Sequence, residues 1–243
     1  VLRIIDARTG EPMDAAPARR GLTRIEVHAS GFDASGLRVL LVADLLVRAL
    51  ELGGTPVWAL LTGEREQAEL RAAGAALGIR PFEDSRGLGA ALGEAQVVHV
   101  AGEAEETAPE GVRLAVASVD AAVPLAPAAD SDPATWRLAL LARRRTLPLR
   151  LDADTLDEAG RTLAHWRGAV ALWARQPSRP VPDDVRGRLR GSWEDDLDVP
   201  ATLRVLEWVE TRPDLADGAR FETYAYADRL LGLDLTRDVG RAP

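Results

Sequence analysis

The residues best suited to chemistry gather in one short stretch. His28 closes the β-rich run R-I-E-V-H (24–28), and the turn A-S-G-F-D-A-S-G (29–36) follows it before a long apolar helix. Such a turn has the form of an anion site. Backbone amides at a helix N-terminus carry partial positive charge, and small residues let a phosphate or carboxylate approach closely. It would stand at the C-terminal end of a sheet strand, where open α/β sheets bind ligands. Ser30, Gly31, Asp33, Ser35 and Gly36 are therefore the expected contacts for a nucleotide or an amino acid, although the carboxylate of Asp33 opposes an anion. His99 sits at the end of another strand, and a two-His cleft with His28 is the alternative to ordinary strand-end histidines. With no cysteine in the chain the ligand count falls short of a closed zinc site, and no zinc is expected.

Other charged groups read as structural. Glu103, Glu105 and Glu106 form a solvated loop, and Glu194, Asp195, Asp196 and Asp198 a helix-start cluster favoured by the helix dipole; neither has the spacing of a calcium-binding loop. Arg143-Arg144-Arg145 is the one basic run, placed as the dipole favours at a helix C-terminus. His165 lies beside an apolar helix seam and is expected to be partly exposed. Ser30, Ser35, His28 and Asp33 are near one another but lack a nucleophile elbow, so no hydrolase triad is assigned.

Composition removes more mechanisms than it adds. All 30 basic residues of the 243 are Arg, and Lys, Asn and Cys do not occur, which excludes disulfides, a thiolate nucleophile, a phosphate-loop lysine and a Schiff base. The net charge of −8 arises entirely in residues 1–132, which carry 12 Arg against 20 acidic residues. That sign disfavours a phosphate-backbone binder, so tRNA is not an expected partner. No apolar run reaches the roughly 20 residues of a membrane span. No secretory leader is visible, and a cytoplasmic location is expected.

Two textures follow one another along the chain. Strands are expected at 24–28, 56–61, 96–100 and 112–119, with helices at about 37–52, 64–77 and 86–93 between them. That alternation predicts an α/β fold with a small Rossmann-like parallel sheet of three or four strands. After a Pro/Ala connector from 121 no strand is expected, and helices at about 133–145, 153–175, 182–193, 199–211 and 219–232 predict an α-helical bundle. Leu156, Leu163 and Val170 repeat every seven residues beside Ala159, Trp166 and Trp173, forming one apolar seam. The expected domains are 1–125 and 126–243.

Three stretches resemble the class I cysteinyl-tRNA synthetase family, which includes the cysteine ligase of mycothiol biosynthesis. L-R-I-I-D-A-R-T-G-E-P (2–12) with I-E-V-H-A-S-G-F-D-A (25–34) is similar to the family's opening. D-P-A-T-W-R-L-A-L-L (132–141) with L-P-L-R-L (147–151) resembles the start of its helical domain. W-E-D-D-L-D-V-P-A-T-L-R-V-L (193–206) resembles its D-D-L-N-T-P-x-A-L run, and L-L-G-L-D-L (230–235) its last helix. The resemblance implies an incomplete class I synthetase catalytic domain followed by the family's bundle.

Its site residues carry over poorly. The family holds ATP with an H-I-G-H-type motif at the first long helix, where this chain has A-S-G-L-R (34–38). Its zinc is ligated first by a cysteine at the position of His28, and the remaining ligands lie in an insertion for which the stretch between Thr62 and 114 has no room. The K-M-S-K-S loop falls on L-A-V-A-S (114–118), and a T-D pair becomes Thr62-Gly63, which adds Thr62 to the expected nucleotide contacts. No anticodon-binding module is expected beyond the bundle. Two expectations result. In the first, a paralogue without aminoacylation binds an unidentified protein partner through the Trp-rich bundle, or a small ligand, with ATP as a candidate, in the remnant cleft. In the second, an ATP-dependent ligase forms an aminoacyl-adenylate with Arg replacing Lys.

Overall fold

In R-I-E-V-H every second side chain is apolar, the pattern of a strand with one face in a core. The computed structural model describes residues 1–18, 21–29, 31–63, 66–84, 96–105, 107–108, 110–125 and 131–241. In it β3 (Thr23–His28) buries Thr23, Ile25 and Val27 and turns Arg24, Glu26 and His28 to the opposite face. Before it, β1 (Arg3–Ile5) and β2 (Pro12–Asp14) form an antiparallel hairpin that the sequence did not announce. After it come α1 (Ala34–Leu52), β4 (Val57–Thr62), α2 (Gln67–Ala76), β5 (Glu83–Asp84), β6 (Gln96–Gly102) and β7 (Val112–Val116).

The sheet has five parallel strands in the order β5-β4-β3-β6-β7, one or two more than expected, because β5 is only two residues long and carries no pattern. This is the strand order of a Rossmann-like sheet. The chain winds outward from β3 to β5, then returns to β6 on the other side of β3, so the order reverses between β3 and β6. The helix expected at 86–93 lies outside the described residues.

Helix α1 starts at Ala34, three residues before the expected Leu37, because the Asp33 carboxylate caps it by accepting from the Gly36 amide at 2.6 Å. Fifteen of its 19 residues are buried, so no face is left for solvent. It packs on β3, β4 and β6 and also on α3 (Pro133–Leu141) and α7 (Asp217–Leu231). β8 (Val119–Ala121) precedes α3, and between α3 and α7 run β9 (Leu149–Leu151), α4 (Ala153–Trp173), α5 (Asp183–Glu194) and α6 (Val199–Thr211). β9 pairs in parallel with β8, which corrects the expectation of no strand beyond the connector; three residues are too few to show a period. α3 ends at Leu141, not 145, and Arg145 turns inward, its side chain bonded to Asp196, Ile5 O and Ala115 O. The helical region otherwise follows the heptad pattern. Leu163, Trp166, Val170 and Trp173 are buried, and Tyr224 meets both tryptophans edge-on and donates to Leu206 O at 3.0 Å. One hydrophobic cluster joins elements on both sides of residue 125. Among the described residues no helix is long and apolar enough to cross a membrane.

The N-terminal hairpin is held from far along the chain. Ile5 N donates to Asp196 Oδ1 at 2.9 Å and Asp196 N to Arg3 O at 2.9 Å, in the turn between α5 and α6.

Two charges on α1 are buried and both are matched. Arg38 donates to the carbonyls of Ala117, Leu147, Arg143 and Arg144, and burial pushes its pKa down to about 10. Asp44 accepts from Arg137 at 2.6 Å and from Arg48 at 2.8 Å. Burial works to raise the Asp44 pKa, but the guanidinium groups of Arg137 and Arg48 outweigh it and hold the carboxyl below the usual range. Its stabilisation is therefore present above the unfolded value near 3.8 and lost as pH falls through the lower folded value.

Removing Asp44 leaves Arg137 buried without a counter-ion. Asp44→Ala is expected to cost about 3–5 kcal/mol in urea unfolding. Arg48→Ala, at a more exposed partner, should cost about 1 kcal/mol or less. Equal losses in the two variants would refute the assignment.

Candidate functional site

The strand order reverses between β3 and β6, and the carboxyl ends of these strands, beside the N-terminus of α1, are the place where open α/β sheets bind ligands. Most of the residues expected to form a site converge there. His28 is the last residue of β3, Thr62 of β4, and His28 and Thr62 stand directly opposite one another in the sheet. Gly31, Asp33, Ser35 and Gly36 surround the start of α1. Ser30 lies outside the described residues.

The α1 turn is already engaged by the chain itself. Gly36 N donates to Asp33 Oδ1, and Phe32 N donates to Glu66 Oε2 at 2.9 Å. Glu66 reaches across from the start of α2 in a left-handed backbone conformation, φ 49°, that costs a non-glycine residue about 1 kcal/mol or more. Ser35 Oγ accepts from Val119 N at 3.0 Å and so ties α1 to β8. Gly36 is there for space. A Cβ at that position would come within 2.7 Å of Gly31 O.

On the exposed face of β3 a second group forms, and sequence reading had only two of its members. His99 pairs with Glu26 in the β3–β6 register, and both share a face with His28. Three separations tie them together: His28 Nε2 to His99 Nδ1 is 3.1 Å, Glu26 Oε2 to His99 Nδ1 is 3.1 Å, and Glu26 Oε2 to His28 Nε2 is 3.7 Å. His99 is 2% exposed, whereas Glu26 and His28 keep about a fifth of their surface open. Glu26 was missed although R-I-E-V-H sets it two residues before His28, on the same side of a strand; that period was the available signal. Its hydrogen bond to His99 lowers the Glu26 carboxyl against the pull of burial. Burial, then His99, pushes the His28 ring below its ordinary 6.5. Arg113, which directly precedes the 114–118 segment in sequence, donates to the carbonyls of Gly102, Glu103 and Glu105. That segment is no open loop: Leu114 is wholly buried, Val116 is the last residue of β7, and Ala117 N donates to Arg145 O at 2.7 Å.

Two other expectations are settled by placement. His165 is exposed and bonded to Glu210 at 2.6 Å. Of the acidic cluster after α5, Asp198 caps α6 through the Ala201 amide and Asp196 pairs with Arg145, so neither is free for a cation.

No family model matches the chain. Part of it is 36% identical, over 114 residues, to the L-cysteine:1D-myo-inositol 2-amino-2-deoxy-alpha-D-glucopyranoside ligase of Parafrankia sp., a match covering 43% of this chain and 25% of the relative. The enzymes of the same description from Streptosporangium roseum and Mycobacterium tuberculosis are also 36% identical, over 114 and 112 residues, each covering 44% of this chain and 26% of the relative. The chain spans about a quarter of the length of the curated relatives it matches. A distant and partial homology to this cysteine ligase, a member of the class I cysteinyl-tRNA synthetase family, is thereby established.

The packing of the α1 turn sets two stability effects. Gly36→Ala should destabilise by about 1–3 kcal/mol, since the backbone of Gly31 must move. Asp33→Ala should cost about 0.5–2 kcal/mol through the lost cap. Chemical denaturation of both variants measures this, and an unchanged midpoint for Gly36→Ala would contradict the close approach.

Proposed function

We propose that this chain is a relative of the cysteine ligases that binds a small ligand at the carboxyl ends of β3 and β6 without activating an amino acid as its adenylate. One observation supports this reading above the rest. The amides at the α1 N-terminus that would receive a phosphate are held by two carboxylates of the chain, Asp33 and Glu66. An ATP phosphate would have to displace both, and would meet negative charge where nucleotidyl transfer needs positive charge.

The second reading, an ATP-dependent ligase with Arg in place of Lys, needs a mobile cation near that end of the sheet. Arg113, Arg38 and Arg145 stand beside the 114–118 segment, and each is anchored by backbone carbonyls. A partner docked through exposed tryptophans is also less favoured. Trp136, Trp166, Trp173 and Trp193 are buried, and Trp208 is covered by the guanidinium groups of Arg188 and Arg212, 4.6 and 4.8 Å from its ring.

Amino-acid-dependent exchange of pyrophosphate into ATP tests the choice. With magnesium and each amino acid in turn, exchange should stay at background, and ATP should leave the melting temperature unchanged. Glu66→Gln combined with Asp33→Ser removes both carboxylates and should bring a melting shift with inorganic phosphate that the parent chain lacks. Exchange above background with cysteine would replace this proposal by the ligase.

A further inference from the structure

We propose that Glu26, His28 and His99 form a binding site for one first-row divalent cation of the zinc class, on the sheet face where the strand order reverses. Hydrogen-bond bookkeeping carries the proposal. Thr62 Oγ1 is 2.9 Å from Val27 O and 2.9 Å from His28 Nδ1. A carbonyl only accepts, so the hydroxyl donates to Val27, and His28 Nδ1 must donate to Thr62. The Nε2 of the neutral His28 ring is then a bare lone pair. His99 Nε2 donates in the same way to Glu110 O at 2.9 Å, which in the neutral ring leaves Nδ1 bare.

These two bare nitrogens face each other at 3.1 Å, with Glu26 Oε2 at 3.1 and 3.7 Å from them. With both rings neutral, three electron-pair donors converge; a proton on His99 Nδ1 serves Glu26 through the hydrogen bond that lowers its carboxyl, whereas a metal ion in that proton's place bonds all three donors at once. A tetrahedral site with bonds of about 2.0–2.1 Å has donor–donor edges of about 3.3 Å, and the three separations bracket that length. Two imidazoles and a carboxylate suit zinc, cobalt or iron(II) rather than calcium or magnesium. A hydroxyl and a backbone carbonyl fix the two ring tautomers, the outer-shell arrangement that metal-binding histidines use.

The surrounding charge is mixed. Arg24 lies 3.2 Å from the other oxygen of Glu26, and Arg113 also opposes positive charge on the His28 ring. Glu105 favours it, and its Oε2 is buried without a hydrogen-bond partner. Position 28 is where the resemblance places a cysteine, but Glu26 and His99 are positions it does not mark, so this donor set belongs to the chain itself. The proposal stands whether or not the chain adenylates an amino acid, because its readout is the cation.

The test strips the full chain with chelator, dialyses it against Zn2+ and counts bound metal, then repeats the loading with Co2+ and records the visible spectrum. One ion per chain and the intense visible bands of four-coordinate cobalt are expected. His28→Gln, His99→Gln and Glu26→Gln should each weaken binding by more than the roughly tenfold that loss of an outer-shell partner costs. His165→Gln, at an exposed histidine, should bind as the parent does. Failure of the folded parent to retain zinc would overturn the site, and so would parental affinity in His28→Gln. His99 is buried, so if its variant unfolds the variants at the partly exposed His28 and Glu26 decide.

Discussion

A helix buried on all sides cannot leave a charge unmatched, and α1 carries two. Arg38 and Asp44 lie six residues apart on a helix enclosed by the sheet and by the C-terminal helices. Every partner they have comes from outside α1 except Arg48: the carbonyls at 117, 143, 144 and 147 for Arg38, and Arg137 and Arg80 for Asp44. A buried charge without partners costs several kcal/mol. The position of the C-terminal helices against the sheet is thereby written into the charge balance of one element. Arg137 extends the constraint by donating to Leu231 O and Leu77 O, so the ends of α7 and α2 are fixed by the same guanidinium.

The lysine-free composition acquires a physical meaning here. Arg38, Arg113, Arg137, Arg145 and Arg167 each bind two or more backbone carbonyls, most of them at the ends of strands and helices where carbonyls lack ladder partners. A planar fork of five donors can serve several acceptors at fixed angles, whereas an ammonium offers three donors on a flexible stem. The same arginines that would have been candidates for phosphate chemistry are structural staples, and an Arg→Lys change at them is not conservative.

Long elements with a period were legible before the structure: β3, β4, β6, α1 and the Trp seam of α4 all lie where their apolar spacing placed them. What failed was short or non-local. β5, β8 and β9 have two or three residues, below the length at which alternation has meaning, and the β1–β2 hairpin lacks an Asn-Gly-type turn signal. The α1 start moved three residues because Asp33, read as an obstacle to anions, is a helix cap. The convergence of His28, His99 and Glu26 depends on β3 and β6 being neighbours, which follows from the strand order of the whole sheet and from no local feature. Residues 28 and 99 were each singled out as strand-end histidines, and topology supplied the 3.1 Å between them.

The hairpin of β1 and β2 has a consequence for the order in which the molecule assembles. Its bonds to Asp196 span 191 residues, while β3, α1, β4 and β6 contact one another within about 80. Chains are synthesised from the N-terminus, so the parallel sheet has its parts long before the turn that anchors residues 3–5 exists. These two strands leave the ribosome ahead of the sheet yet are among the last elements to find their place, and until α5 and α6 emerge they present unpaired backbone to whatever is nearby. Nascent chains halted before residue 196 are the forms most exposed to mispairing and to chaperone capture.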